Sequence, residues 1–105
     1  MTENLNNEHG SVLHINVPKE LSALGIDGDL QRFFDAMIYK LRRNAHKGRW
    51  DEVSLDAAMK RLRAEVEELD SELGFGSVVE VLMEAADVAN MALILANISL
   101  EHKNV

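Results

Sequence analysis

The sequence predicts an all-α domain with about three main helices. Apolar residues recur at helical spacing over three long stretches, and Gly48, Gly74 and Gly76 punctuate them. The last stretch, Val78 to Leu100, is almost entirely Val, Leu, Ile, Met and Ala.

Ahead of the main helices, Leu13, Ile15 and Val17 alternate with polar residues, which suggests a short extended piece before Pro18. Pro18 to Leu24 then reads as a helical turn ended by Gly25. The first main helix begins near Asp29, a candidate N-cap, and carries Leu30, Phe33, Phe34, Met37, Ile38, Leu41 and Ala45 before stopping at Gly48. The second begins after Ser54 and carries Leu55, Met59, Leu62, Val66, Leu69 and Leu73. This alternating 4-3 spacing draws one narrow stripe suited to helix packing. Gly74 and Gly76 make a turn, and the third helix runs from about Ser77 to the neighbourhood of Glu101.

A helix that is apolar on nearly every side must be buried on every side, and two shorter helices of the same small chain can hardly cover it. The expected state is therefore an oligomer: a homodimer that completes a four-helix-type bundle, or a tetramer of two such dimers.

With 105 residues the chain is one domain near the lower end of self-sufficient size. It has no cysteine, which leaves only oxygen or imidazole ligands for any metal. Met1 to Ser11 is polar, and no uncharged apolar run reaches membrane-spanning length, so a cytoplasmic protein with no membrane partner is expected. A net charge of −7 argues against binding a nucleic acid polymer. The charge is segregated: Lys40 to Arg49 holds five basic residues and no acid, whereas Glu65 to Asp87 holds eight acids and no Lys or Arg. One stretch suits phosphate and the other cations, although charge runs on helices are often only solvated faces.

Two acidic motifs carry the chemistry. Glu65-Val-Glu-Glu68 and Glu84-Ala-Ala-Asp87 each put two carboxylates on one side of a helix, with Glu72 and Glu80 as near neighbours and Glu67 pointing away. Glu84 and Asp87 interrupt the most apolar stretch of the chain, where an uncompensated carboxylate is costly. If the second and third helices are antiparallel neighbours, four carboxylates converge, and four oxygen ligands favour Mg²⁺ or Mn²⁺ over zinc.

The E-x-x-E, spacer, E-x-x-D arrangement resembles that of the MazG-like all-α nucleoside triphosphate pyrophosphohydrolases, whose relatives include dimeric dUTPases, dCTP pyrophosphatases and phosphoribosyl-ATP pyrophosphohydrolase. The likeness covers roughly Leu30 to Ile98. Within it, Lys40-Leu-Arg-Arg-Asn-Ala-His-Lys-Gly-Arg-Trp50 and Glu84-Ala-Ala-Asp-Val-Ala-Asn90 look like the dATP/dGTP pyrophosphohydrolase subgroup. The resemblance implies a helical catalytic domain over residues 29–105, preceded by a partly flexible extension, residues 1–28, that the resemblance does not cover. It implies that Glu65, Glu68, Glu84 and Asp87 bind Mg²⁺, with Mn²⁺ as a substitute. The implied reaction converts a deoxynucleoside triphosphate and water to the monophosphate and pyrophosphate, with purine nucleotides favoured and dUTP, dCTP or phosphoribosyl-ATP as alternatives. Metal ions neutralise the triphosphate and activate the attacking water. Glu68, ahead of Glu65, is the candidate to orient or deprotonate it.

Lys47 and Arg49 flank Gly48 and are candidates to hold the β and γ phosphates, with Lys40 and Arg43 behind them. The alternative is that all four are helix-terminal cations. Trp50 is a candidate to stack on a base, or else a core or interface residue. Asn90, three residues after Asp87, either hydrogen-bonds the deoxyribose or a metal-bound water, or is a buried amide satisfied by backbone. His46 is a phosphate contact or a helix cap, and His9, His14 and His102 form no ligand set. A non-catalytic dimerisation or adaptor module is the competing reading. It requires the buried acids to pair with basic residues of the first helix, such as Arg42 or Arg43.

Overall fold

A computed structural model describes residues 13–50 and 52–103; the polar start of the chain, with His9, and the side chain of His102 lie outside the described residues. The described residues form four α-helices: α1 (Lys19–Ser22), α2 (Asp27–Arg43), α3 (Leu55–Phe75) and α4 (Val78–Lys103). A 3₁₀ turn, Ala45–Lys47, lies between α2 and α3, and the described residues contain no strand. None of these helices is long and apolar enough to cross a membrane.

The chain divides into two compact units, residues 1–35 and 36–105. In the first, Pro18 is the N-cap of α1, where its fixed φ of −59° suits the entry and its missing N–H costs nothing. Gly25, at φ +75°, makes the turn out of α1. The alternating residues Leu13 to Val17 pair with no strand. The Gln31 amide clamps them instead, accepting from the Ile15 N–H (3.1 Å) and donating to the Leu13 carbonyl (2.7 Å). α2 begins two residues before the expected start, so Asp29 lies in its first turn and does not cap it. The Ser22 hydroxyl donates to Asp27 (2.9 Å) at that start.

The second unit is built on α3 and α4, which pack side by side as a helical hairpin. The Ser54 hydroxyl oxygen caps α3 by accepting from the Ala57 N–H (3.1 Å). Ser54→Ala is expected to cost about 1 kcal/mol in urea unfolding, the usual worth of such a cap. α3 continues through Gly74 to Phe75, so the turn is made by Gly76 and Ser77 alone, with Gly74 still helical. Gly76 has an ordinary φ of −84°; a Cβ there would displace the flexible end of Glu72, whose Oε1 lies 2.0 Å away, and would stand 3.0 Å from the Glu72 carbonyl, a tight contact. α4 opens with a reciprocal capping box: Ser77 N–H donates to Glu80 Oε1 (2.8 Å) and Glu80 N–H to Ser77 Oγ (3.2 Å). Glu80 is thereby committed to the cap and is not a neighbour ligand of Glu84.

The expected packing stripe of α3 is rotated. Leu55, Leu62 and Leu69 are half-buried as expected, but the residues completing the inward line are Ala58, Glu65 and Glu72; Val66 and Leu73 are 46% and 66% exposed. Among the described residues of this unit the buried apolar ones are Ala36, Ala58, Ala86 and Ile98, so Ile98 is the one larger side chain in a core otherwise made of alanines. The other large apolar side chains are left at the margin.

Candidate metal centre

The rotation of α3 carries Glu65 into the seam between α3 and α4, opposite the second acidic motif. Glu65, Glu84 and Asp87 each offer a carboxylate oxygen, and these oxygens lie within 4.8 Å of one another. Glu65 and Asp87 are held at 13% and 22% side-chain exposure. Two oxygens, Glu65 Oε1 and Glu84 Oε2, are buried, and no donor among the described residues reaches them apart from the proton that the two carboxyls share. Such orphans are rare in folded proteins and need an explanation. The consequence for Glu84 is electrostatic. Burial first, then a hydrogen bond to Glu65 and the charges of Glu65, Glu68 and Asp87, push its carboxyl up to about 8.

Glu68 is exposed and outside this group of three, although its charge is felt at Glu84. The structure therefore brings three of the four expected ligands together and leaves the fourth at the edge. Glu72 lies toward the turn beside Gly76, and Glu67 is exposed.

The cations are distributed differently from the expectation. Lys40 Nζ is 3.1 Å from Asp87 Oδ2, so the residue expected to stand behind the phosphate site is in contact with the acids. Arg61 meets Glu65 Oε2 at 3.4 Å from the preceding turn of α3. Arg61 is 63% exposed, which makes this a weak pair. Arg43 lies over the Tyr39 ring at 5.8 Å and donates to its hydroxyl (3.3 Å), and Arg42 is exposed. Lys47 and His46 are exposed in the 3₁₀ turn; the carbonyl of Lys40 is capped by Asn44 (3.0 Å), not by His46. Arg49 lies over Trp50 at 4.8 Å and forms an ion pair with Glu101. Glu101 is fourteen residues past Asp87 on α4, about 21 Å at the rise of an α-helix. Arg49 and Trp50 therefore sit at the opposite end of α4 from the acids of their own chain. The Trp50 ring is half-buried under Arg49, with its Nε1 buried and unpaired.

Asn90 is 6% exposed; its Nδ2 donates to the Met37 carbonyl (3.1 Å), as a buried amide satisfied by backbone would, while its Oδ1 has no partner. Met37 and Lys40 on α2 thus face Asn90 and Asp87 on α4 in reverse order. The matching three-residue spacings in the two segments are the sequence signal that could have paired Lys40 with Asp87.

The donor set fits a small hard cation. All three ligands are carboxylates, two have an oxygen to spare, and Mg²⁺ takes oxygens at about 2.1 Å, leaving opposite ligands about 4 Å apart. A spread of up to 4.8 Å closes with small side-chain rotations. No family model, no curated protein and no solved structure matches the chain.

Proposed function

We propose that this chain is a Mg²⁺-dependent nucleoside triphosphate pyrophosphohydrolase of MazG-like type, acting on deoxynucleoside triphosphates with a preference for purines and working as a homodimer or tetramer. The observation that carries the reading is the seam of α3 and α4. It holds a carboxylate oxygen of each of Glu65, Glu84 and Asp87 within 4.8 Å of the others, with two buried carboxylate oxygens that no basic or backbone donor among the described residues reaches. Bound there, Mg²⁺ supplies charge neutralisation for the triphosphate and a water of lowered pKa. Glu65, Glu84 and Asp87 hold the ion. Glu68, exposed at the rim, is free to take a proton from water approaching from solvent. Lys40 is the cation nearest the acids and the first phosphate contact within the chain. The position of Arg49 and Trp50 at the far end of α4 favours their serving the site of another subunit.

Incubation with each deoxynucleoside triphosphate and Mg²⁺ is expected to release pyrophosphate, and Glu68→Gln and Asp87→Asn are expected to reduce release by at least about a hundredfold while remaining helical. Release of single phosphates would reject this cleavage position. The Lys40–Asp87 ion pair favours a second reading, a non-catalytic helical dimerisation module, because it supplies a buried acid with a partner from the first main helix. Absence of turnover with every nucleotide, together with a melting temperature indifferent to Mg²⁺, would establish that reading and overturn ours.

A further inference from the structure

Lys40 stands between the two halves of the proposed chemistry. Its ammonium is 3.1 Å from Asp87 Oδ2, and both side chains are largely enclosed, at 27% and 22% exposure. The rest of the acid group has no comparable compensation. Glu65 has beside it only the exposed Arg61 and the carboxyl of Glu84, and no basic or backbone donor among the described residues reaches the inner oxygens of Glu65 and Glu84.

We propose that Lys40 is a resident counter-ion: it holds Asp87 in the metal-free protein, is displaced from Asp87 by a divalent cation, and then engages the polyphosphate that accompanies that cation. This rests on the metal reading above and adds to it an order of events. One carboxylate oxygen cannot keep an ammonium at hydrogen-bond distance and coordinate a dication at the same time without setting two positive charges against each other. In a partly enclosed position that repulsion is poorly screened. The four-carbon stem of lysine lets its charge move several ångströms while α2 stays in place. The adjacent negative charge of a metal-bound polyphosphate gives it a destination. The other basic residues of α2 are less suited: Arg43 is engaged with Tyr39, and Arg42 points to solvent.

The consequence is a coupling of defined sign. Lys40 opposes binding of the metal alone and favours binding of metal with polyphosphate, so each ligand strengthens the other through this side chain. A residue that only stabilised the fold would not act in opposite directions on the two events, and a cation that merely stood nearby in solvent would do so only weakly, which is what the exposed Arg42 measures.

The test compares the wild type with Lys40→Met, with Arg42→Met as a control of equal charge change. Mn²⁺ binding is read from the free-ion electron paramagnetic resonance signal, and binding of the Mg²⁺–tripolyphosphate complex by calorimetry. Lys40→Met is expected to bind Mn²⁺ about tenfold more tightly and Mg²⁺–tripolyphosphate about tenfold more weakly, a coupling of ordinary size; Arg42→Met should change both by less than about twofold. An unchanged or weakened Mn²⁺ affinity in Lys40→Met, or a shift of both ligands in one direction, overturns the role of Lys40. The metal reading then still stands on Mn²⁺ binding by the wild type that is lost in Glu84→Gln. Failure of the wild type to bind Mn²⁺ overturns the metal reading itself.

Discussion

Glu84→Gln is expected to raise the melting temperature of the metal-free protein at pH 8 and to abolish its stabilisation by Mg²⁺. In the unfolded chain Glu84 ionises near its ordinary value of 4.5, whereas in the fold burial, the hydrogen bond to Glu65 and the surrounding carboxylates hold the proton on up to about 8. The folded state therefore binds this proton more tightly. The stability that follows is fully present below pH 4.5 and is lost as the pH rises through about 8. Glutamine cannot ionise and keeps that stability at every pH, but it is a poorer ligand. Calorimetric melts of the two proteins in EDTA should nearly coincide at pH 4 and separate progressively to pH 8, with the glutamine variant the more stable. The same proton must leave when a cation enters. Mg²⁺ binding to the wild type near pH 7 should therefore release a proton, seen as a binding enthalpy that varies with the ionisation heat of the buffer. Parallel melting profiles for the two proteins would refute this account of Glu84.

The double substitution Val66→Glu with Leu73→Glu is expected to convert the protein from a dimer or tetramer to a monomer. These two residues are seven apart on the outer line of α3 and substantially exposed, as are Phe75 (93%), Val78 (86%) and Val79 (62%) around the hairpin turn. Among the described residues Ile98 is the one larger apolar side chain in the buried core, so in the assembly we propose the chain would gain its missing burial from another copy, each Val or Leu being worth about 1.5–3 kcal/mol when fully covered. Two carboxylates on that line remove this gain and add charge repulsion. Sedimentation equilibrium of wild type and variant at equal concentration decides the matter. A wild type that is already monomeric at tens of micromolar would contradict the assembly we propose.

The long helices were legible because their signals are local. Ser54 announced the start of α3, the 4-3 spacing set its period, and the glycines before Ser77 marked the start of α4, whereas the capping role of Glu80 is a finding of the structure. The phase of α3 was not legible. Hydrophobicity alone puts Met59, Val66 and Leu73 inward; Met59 is half-buried, but Val66 and Leu73 are exposed, and contact with α4 selects Ala58, Glu65 and Glu72 at the same sevenfold spacing. The reason is that a seam that contains a polar site admits acids that a hydrophobic count rejects. Lys40 was read as a cation of the phosphate stretch; its pairing with Asp87 joins residues 47 positions apart and has no local signature. Glu65, Glu84 and Asp87 were correctly expected to converge. Glu68, equal to Glu65 in the motif, differs from it only through which side of α3 meets α4.

The two-residue connection between α3 and α4 has a consequence for how the acids come together. Glu65 and Asp87 approach through the shortest-range pairing available to the long helices, so the loop-closure entropy of assembling them is small. Local pairings of this kind also form early on fast-folding chains. The carboxylate group is thus a property of one contiguous stretch, residues 54–103, which meets its mutual repulsion as soon as the hairpin closes. Lys40 reaches it only from a segment outside that stretch.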